Sequence, residues 1–516
     1  MAEILARLAE LGPTQLALAD GREAVSRADL NRRVNQWIDV LRGGELRTGD
    51  RVALVVGNRL VAYEVLLACL HAGLVAVPVS WRLTAPEIAY VLADSGSRAV
   101  VTEPGYAGRV VQAVRDAGIT PALTLVSGDR EHAGLAPAGK LLAAAGSGEP
   151  AGQCSGSVML YTSATTGHPK GVMLGLFAPG AVTGRIGRTA AVVGTTLGIP
   201  PHGRSLLIGP WYHAAQLIFS LFPLLRGSGL VMRQRFDAAA TLADLSAEHI
   251  TNCHLVPTQF IRLLALEAPA RAAWAAHSLQ RVWHGGAACP VDVKRAMIEW
   301  WGPVFTEYYA ATEAGIITMI DSVEWLGRPG SVGRPIQRTA VEIVGEDGAQ
   351  CPVGVAGRVF VRRPAELDFE YHNAPGKTAG AHSAPGMFTV GDLGWLDNDG
   401  YLYLSGREMD TIIAGGMNIY PAEVEAALLS HPAVRDAAVF GIRDDDFGEL
   451  VMAVIETVPE TAVSAEDLPE DLARHCRQRL ADYKRPRRYQ IVDQLPREPT
   501  GKLSKRLLRD RYGGQP

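Results

Sequence analysis

The chain reads as an α/β protein with a large N-terminal domain of parallel-sheet βα layers, a small β-rich subdomain within it, and a small α+β C-terminal domain. Three observations predict this. Strand-length apolar runs alternate with helical-period stretches from Asp50 to Trp283, the signature of βαβ units. Between Val341 and Pro364 the pattern changes to short strands with glycine-rich turns. Beyond Arg407 it changes again, to helix, strand, strand, helix. At 516 residues the chain also exceeds what one ordinary hydrophobic core holds.

Taken in order, apolar residues recur at helical spacing from Leu30 to Leu41 and stop at Gly43-Gly44. Asp50 to Gly57 is a strand entering a turn, Val61 to Ala72 a helix, and Val75 to Val79 the next strand, spaced for a parallel pair. The cycle repeats at Arg98–Thr102 and the helix Val110–Ala117. Residues 133–152, rich in Ala, Gly and Pro, read as an exposed connection. Further strands are expected at Ser157–Leu160, Ser205–Pro210, Gly229–Met232, Asn252–Val256 and Arg281–Trp283. In the last part, a helix from Tyr420 to about Ser430, strands at Ala437–Gly441 and Leu450–Ile455, and a helix from Asp467 to Leu480 precede a basic, solvated stretch from Tyr483 to Arg488. The composition break places the domains at 1–406 and 412–516, joined by 407–411.

Hydrophobic content of 47% with 20% charged residues describes a folded globular chain, not a disordered one. A net charge of −4 gives no electrostatic case for nucleic acid or a membrane surface. The six cysteines are far apart with no Cys-x-x-Cys pair, so buried thiols are expected in place of a metal site or disulfide framework. No uncharged apolar run reaches the roughly 18 residues of a membrane span, and no secretory signal opens the sequence. A cytoplasmic location is the expectation.

Six stretches are candidates to carry chemistry, each also readable alone as an ordinary turn, element end, linker or solvated charge. In Tyr161 to Val172, four hydroxyl residues (Thr162, Ser163, Thr165, Thr166), Gly167, Gly171 and Lys170 follow a buried strand. Many short donors with one mobile ammonium suit a polyphosphate, although such a cluster also makes an ordinary polar turn, and the Gly-Lys-Ser/Thr of a Walker loop is absent. Trp283-His284-Gly285-Gly286-Ala287-Ala288 opens a strand end into two glycines, fit for a flat ligand or for a plain βα turn. Tyr308 to Glu313 offers aromatic rings, the hydroxyl of Thr312 and the carboxylate of Glu313. Phe388 to Asp392 ends a strand in an acidic turn, Gly406 to Pro421 is glycine-rich, and Pro496 to Leu503 puts Lys502 on a glycine turn.

In this order, the six stretches make the whole chain resemble the adenylate-forming superfamily of acyl- and aryl-CoA synthetases, adenylation domains and luciferases. Around Gly400–Glu425 it is most similar to stand-alone CoA ligases. The resemblance implies that Thr162, Ser163, Thr165, Thr166, Gly167 and Lys170 hold the ATP β- and γ-phosphates. Gly286 and Ala287 line the adenine site, Tyr309 stacks on the base, and Asp392 and Arg407 bind the ribose. Thr312 contacts the α-phosphate and Glu313 holds Mg²⁺. Lys502 reaches in from a small, mobile domain to the α-phosphate and the attacking carboxylate. Gly415 and Gly416 lie beside a thiol tunnel. Trp211, Tyr212, His213, Gln216, His284 and Tyr308 are the expected acid pocket, whose bulk favours a small or aromatic acid over a long acyl tail.

The chain departs from the family at Ala164 (usually Gly), Val390 (usually Thr), Arg358 (often Glu) and Met409 (often Asp or Lys). The function expected is ATP-dependent acyl-adenylate formation with pyrophosphate release, then transfer to coenzyme A. Alternatives are adenylation of an oxyanion such as nitrite for N–N bond formation with an amine, transfer to a carrier protein, or nucleotide binding without turnover.

Overall fold

The computed structural model describes residues 4–162, 169–173, 177–274, 278–407, 410–414, 417–444, 448–458, 464, 466–497 and 503–513. Among these, two large sheets form the body. One has seven strands in the spatial order Ala136–Pro137, Leu123–Val126, Ser97–Thr102, Arg51–Val55, Val75–Pro78, Ser157–Thr162 and Lys170–Met173. All its pairs are parallel except the last, an antiparallel hairpin. The other has nine strands, ordered Arg334–Pro335, Gly315–Asp321, Phe305–Ala311, Arg281–His284, Asn252–Leu255, Arg204–Leu207, Gly229–Met232, Leu16–Ala19 and Ala24–Ser26. From Phe305–Ala311 to Leu16–Ala19 every pair is parallel.

The helices Leu60–Ala72 and Ala214–Leu225 share one core with strand residues of both sheets, among them Leu54, Ala76, Leu207 and Leu230. That explains their composition. Every described position of Leu60–Ala72 except Val61 is buried, so the helix is apolar all round and lacks a polar stripe. Tyr63 of the first helix is hydrogen-bonded to Ser220 of the second at 2.5 Å, satisfying two buried hydroxyls.

A five-stranded antiparallel sheet (Ala340–Val344, Gly357–Arg362, His382–Ala384, Met387–Leu396, Leu402–Arg407) forms the β-rich subdomain. A second five-stranded sheet, with the helices Pro421–Leu429, Leu468–Arg477 and Lys505–Tyr512, makes the C-terminal part. Its two hydrophobic clusters use only residues from Ile412 onward. Arg509 reaches back to Asp410 at 2.8 Å.

Three local expectations change. Residues 133–152 are not merely a connection: they hold the strand Ala136–Pro137 and the helix Ala138–Ala144. Asp392 lies inside the ten-residue strand Met387–Leu396 and not in a turn. Gly391, at φ +80°, supplies an irregularity there without breaking the strand. The basic stretch ends by starting the strand Arg488–Val492, which pairs parallel with Gly448–Thr457. The six cysteines are free thiols, and no helix among the described residues is long and apolar enough to cross a membrane.

Candidate functional site

A cleft of about 1770 Å³ opens where the two large sheets, the β-rich subdomain and the C-terminal part meet. Lys170, Tyr212, His213, Gln216, Gly286, Ala287, Tyr308, Thr312 and Glu313 all line it. The C-terminal part adds Arg497, Arg506 and Arg511.

At one end, Thr162 and Lys170 are register partners across the hairpin that closes the hydroxyl-rich loop. Ser163, Ala164, Thr165, Thr166 and Gly167 lie outside the described residues, as does the side chain of Thr162. The Tyr90 hydroxyl donates to the Pro169 carbonyl at 3.1 Å, tying the loop's exit to the helix Ala85–Ser95. Lys170 Nζ stands 4.3 Å over the Tyr371 ring, a cation–π contact. The Tyr371 hydroxyl in turn donates to Glu313 Oε1 at 2.7 Å. Burial, with Lys377 nearby, draws the Lys170 ammonium below its usual range, and Glu313 opposes the shift. Burial and the Glu313 charge hold Tyr371 protonated, so it stays a donor. Thus a cation, an aromatic ring and a carboxylate from three separate chain segments are locked together on the cleft wall.

Strand parity decides which neighbours face the cleft. His254, Trp283 and Thr306 are register partners across three parallel strands, so their side chains share a face. Tyr308, two residues beyond Thr306, falls on that face. Leu255, His284 and Glu307 occupy the opposite one. His284 is therefore not a lining residue of the cleft, contrary to expectation: it is fully buried between Phe260 and Phe305, 3.9 Å from Glu307. Glu307 is paired with Lys294 at 2.5 Å, behind the Gly285–Ala287 turn. Burial raises Glu307 and lowers Lys294, each resisted by the partner's charge.

Tyr309 likewise points away from Tyr308. Its hydroxyl donates to Asp392 Oδ2, and both residues are buried. They lie beside Val390 and Gly391, which line the cleft. Asp392 is the register partner of Arg407, whose side chain lies outside the described residues. Lys502, Met409, Gly415 and Gly416 lie outside them as well.

Of the remaining expected pocket residues, Tyr212 and His213 sit at the entry to the helix Ala214–Leu225, with ring centroids 5.0 Å apart. Trp211 is a core residue and not a lining one: it is fully buried, packed against Tyr63, with its indole N–H bonded to the Val56 carbonyl at 2.8 Å. Gln216 lies on the first turn of that helix, 2.8 Å from His254 Nδ1, and His254 Nε2 is 2.7 Å from the Tyr308 hydroxyl. Phe219 stacks on both His254 and Trp283, completing an aromatic wall.

Two site residues had little sequence signal. Tyr371 lies in an irregular stretch with no period to orient it. His254 was visible only as a histidine inside a short buried strand, which reads as core until a partner is known.

A divalent cation fits this donor set in one manner. Among the described residues no group of three or more His, Cys, Asp or Glu side chains could cage a metal. Glu313, oriented by Tyr371 on the cleft, is one carboxylate beside Lys170 and Thr312, the kind of donor by which Mg²⁺ is held jointly with substrate phosphates.

Residues 5–367 match the AMP-binding enzyme family, and residues 423–502 match the AMP-binding enzyme C-terminal domain. The chain is 33% identical over 510 residues to a feruloyl-CoA synthase of Amycolatopsis sp, covering 98% of each. It is 33% identical over 494 residues to the long-chain-fatty-acid–CoA ligase FadD13 of Mycobacterium tuberculosis, covering 94% of this chain and 92% of that one. Among solved structures, the o-succinylbenzoate CoA synthetase MenE of Bacillus subtilis, in complex with its acyl-adenylate intermediate, superposes with a TM-score of 0.82 at 28% identity, covering 100% of this chain and 99% of that one. With both family regions in chain order and the shared α/β architecture, the protein belongs to the AMP-binding, adenylate-forming enzymes and is an AMP-forming ligase.

Proposed function

We propose that the protein activates a small or aromatic carboxylic acid with ATP, releasing pyrophosphate, and passes the acyl group from the adenylate to coenzyme A. The observation that carries this reading is the single cleft in which Lys170, Thr312 and Glu313 stand at one part of the wall and Gln216 and Tyr308 at another. Attack of a carboxylate on the ATP α-phosphorus builds negative charge on the phosphorus oxygens. Donors and cations fixed in advance are what lowers that barrier, and alignment of the two reactants supplies much of the rest.

Lys170, with Thr162, Ser163, Thr165, Thr166 and Gly167, is assigned to the β- and γ-phosphates. Thr312 takes the α-phosphate, and Glu313 is the residue that would hold Mg²⁺, which supplies electrostatic stabilisation of the phosphates when bound. Gly286 and Ala287 are assigned to the adenine, with Tyr309, Asp392 and Arg407 forming the purine and ribose side. Lys502 is assigned to the reacting carboxylate and α-phosphate, carried there by the C-terminal domain, 412–516, turning about 407–411. Tyr308 on the cleft wall, backed by the buried rings of Phe219 and Trp283, supports a compact acid over a long chain.

Pyrophosphate release with Mg-ATP is the test, measured across benzoates, short and long fatty acids, amino acids and nitrite, with and without coenzyme A. The expected result is turnover with a benzoate or short acid that rises with coenzyme A. Release with nitrite and an amine, indifferent to coenzyme A, would overturn the reading. Indifference to coenzyme A with a carboxylate would move the acceptor to a carrier protein.

A further inference from the structure

We infer that the chain Gln216–His254–Tyr308 is a polarity-setting relay whose outer end, the Tyr308 phenol, donates a hydrogen bond to the acid, so that the preferred substrate carries a hydrogen-bond acceptor away from its carboxylate. This rests on the carboxylate-activating reading above and narrows its substrate class.

The direction of the relay follows from the atoms. Gln216 Nε2 lies 2.8 Å from His254 Nδ1. An amide nitrogen can only donate, so Nδ1 must accept. A neutral imidazole then carries its single proton on Nε2, which lies 2.7 Å from the Tyr308 oxygen and donates to it. With that lone pair occupied by the histidine N–H, the phenol's own proton is left to point elsewhere, and Tyr308 lines the cleft.

Neither alternative protonation state competes. Burial depresses His254 to about 3 and keeps the Tyr308 phenol protonated. The relay is therefore neutral throughout, with one defined donor at its outer end.

All three side chains are more than nine-tenths buried, at 6%, 3% and 4% exposure for Gln216, His254 and Tyr308. They are also clamped. A Cβ at Gly209 would meet Gln216 Nε2 at 2.3 Å, and one at Gly285 would meet Tyr308 Cζ at 2.8 Å, so backbone is pressed flat against both ends. Phe219 stacks on the His254 ring at 5.1 Å and fixes its plane. A donor so held and so dry discriminates strongly, because a ligand without an acceptor leaves it unpaired.

The test compares matched acids by kcat/KM for pyrophosphate release: methoxy against ethyl at each ring position of benzoate, and an ether oxygen against a methylene in short aliphatic acids. The best acceptor-bearing acid is expected to exceed its methylene match by about 10- to 100-fold. In Tyr308→Phe that ratio falls toward one. Gln216→Glu is the second variant. Its carboxylate accepts from Nδ1–H, so that a neutral His254 must accept from Tyr308 at Nε2, which turns the relay round while leaving the phenol in place. The ratio should fall there too, with hydroxyl- or amine-bearing acids gaining relative to methoxy ones.

A merely structural Tyr308 would not respond to Gln216→Glu in this way. An unchanged ratio in Tyr308→Phe, or in Gln216→Glu with His254 shown neutral by its imidazole NMR shifts, overturns the inference where the unfolding midpoint verifies folding. Pyrophosphate release with no carboxylic acid at all would instead overturn the reading on which it rests.

Discussion

Glu313 has one oxygen committed to the Tyr371 phenol and is thereby held in a single orientation on the cleft. Partners that orient a metal-holding carboxylate typically contribute 10- to 100-fold to affinity or activity. Tyr371→Phe keeps the ring under Lys170 and deletes only the donor. A Mg²⁺ titration of pyrophosphate release should then show roughly 10-fold weaker apparent affinity; an unchanged titration would remove Glu313 from the metal's surroundings. At this scale the sequence was legible where residue type alone limits the chemistry, as with Lys170 and Glu313, both of which line the cleft. It was not legible where orientation decides. Trp211 and His284 have the chemistry of pocket residues, yet one is spent on a backbone carbonyl and the other faces the wrong side of its sheet.

Among the elements, the strands Arg281–His284 and Phe305–Ala311 depend on close approach at the end of the first. A Cβ at Gly285 would lie 2.5 Å from the Tyr308 carbonyl oxygen. Gly285→Ala must push the two segments apart, at a cost of about 1–3 kcal/mol for such overpacking. A lowered unfolding midpoint and a raised KM for the acid are expected. Gly376→Ala, in the helix Pro375–Ala381 with nothing within 4 Å, is the control and should be neutral or slightly stabilising. Loss of stability in the control equal to that of Gly285→Ala would refute the contact argument. Elements that are nearly unbroken apolar runs bounded by glycine, such as Leu60–Ala72 and Gly229–Met232, were readable from sequence within a residue or so. The strand through Asp392 was not, because Gly391 and an acidic residue resemble a turn until the partner strands on both sides are known.

Over the whole molecule, burial of neutral histidines sets an acid limit. Burial, with the Lys294 charge, holds His284 far below its usual range, while the unfolded chain protonates it near 6.5. Between those values the unfolded state binds the extra proton, so stability falls as pH drops below about 6.5 and is unaffected by this group above it. At pH 5 the loss from His284 is at most about 2 kcal/mol, the ceiling set by its unfolded-state value. His284→Leu, compared with the parent by denaturant midpoints at pH 7 and pH 5, should lose that much less on acidification. Equal losses would show that His284 titrates in the fold. The change of strand and helix pattern along the chain was legible, but how the parts meet around the cleft was not, since no local pattern records which strand faces pair. The alternation at Tyr308 and Tyr309 has a further consequence. Adjacent side chains leave the strand in opposite directions, Tyr308 toward His254 and Tyr309 toward Asp392, so a substitution on one parity of the strand leaves the contacts of the other parity in place.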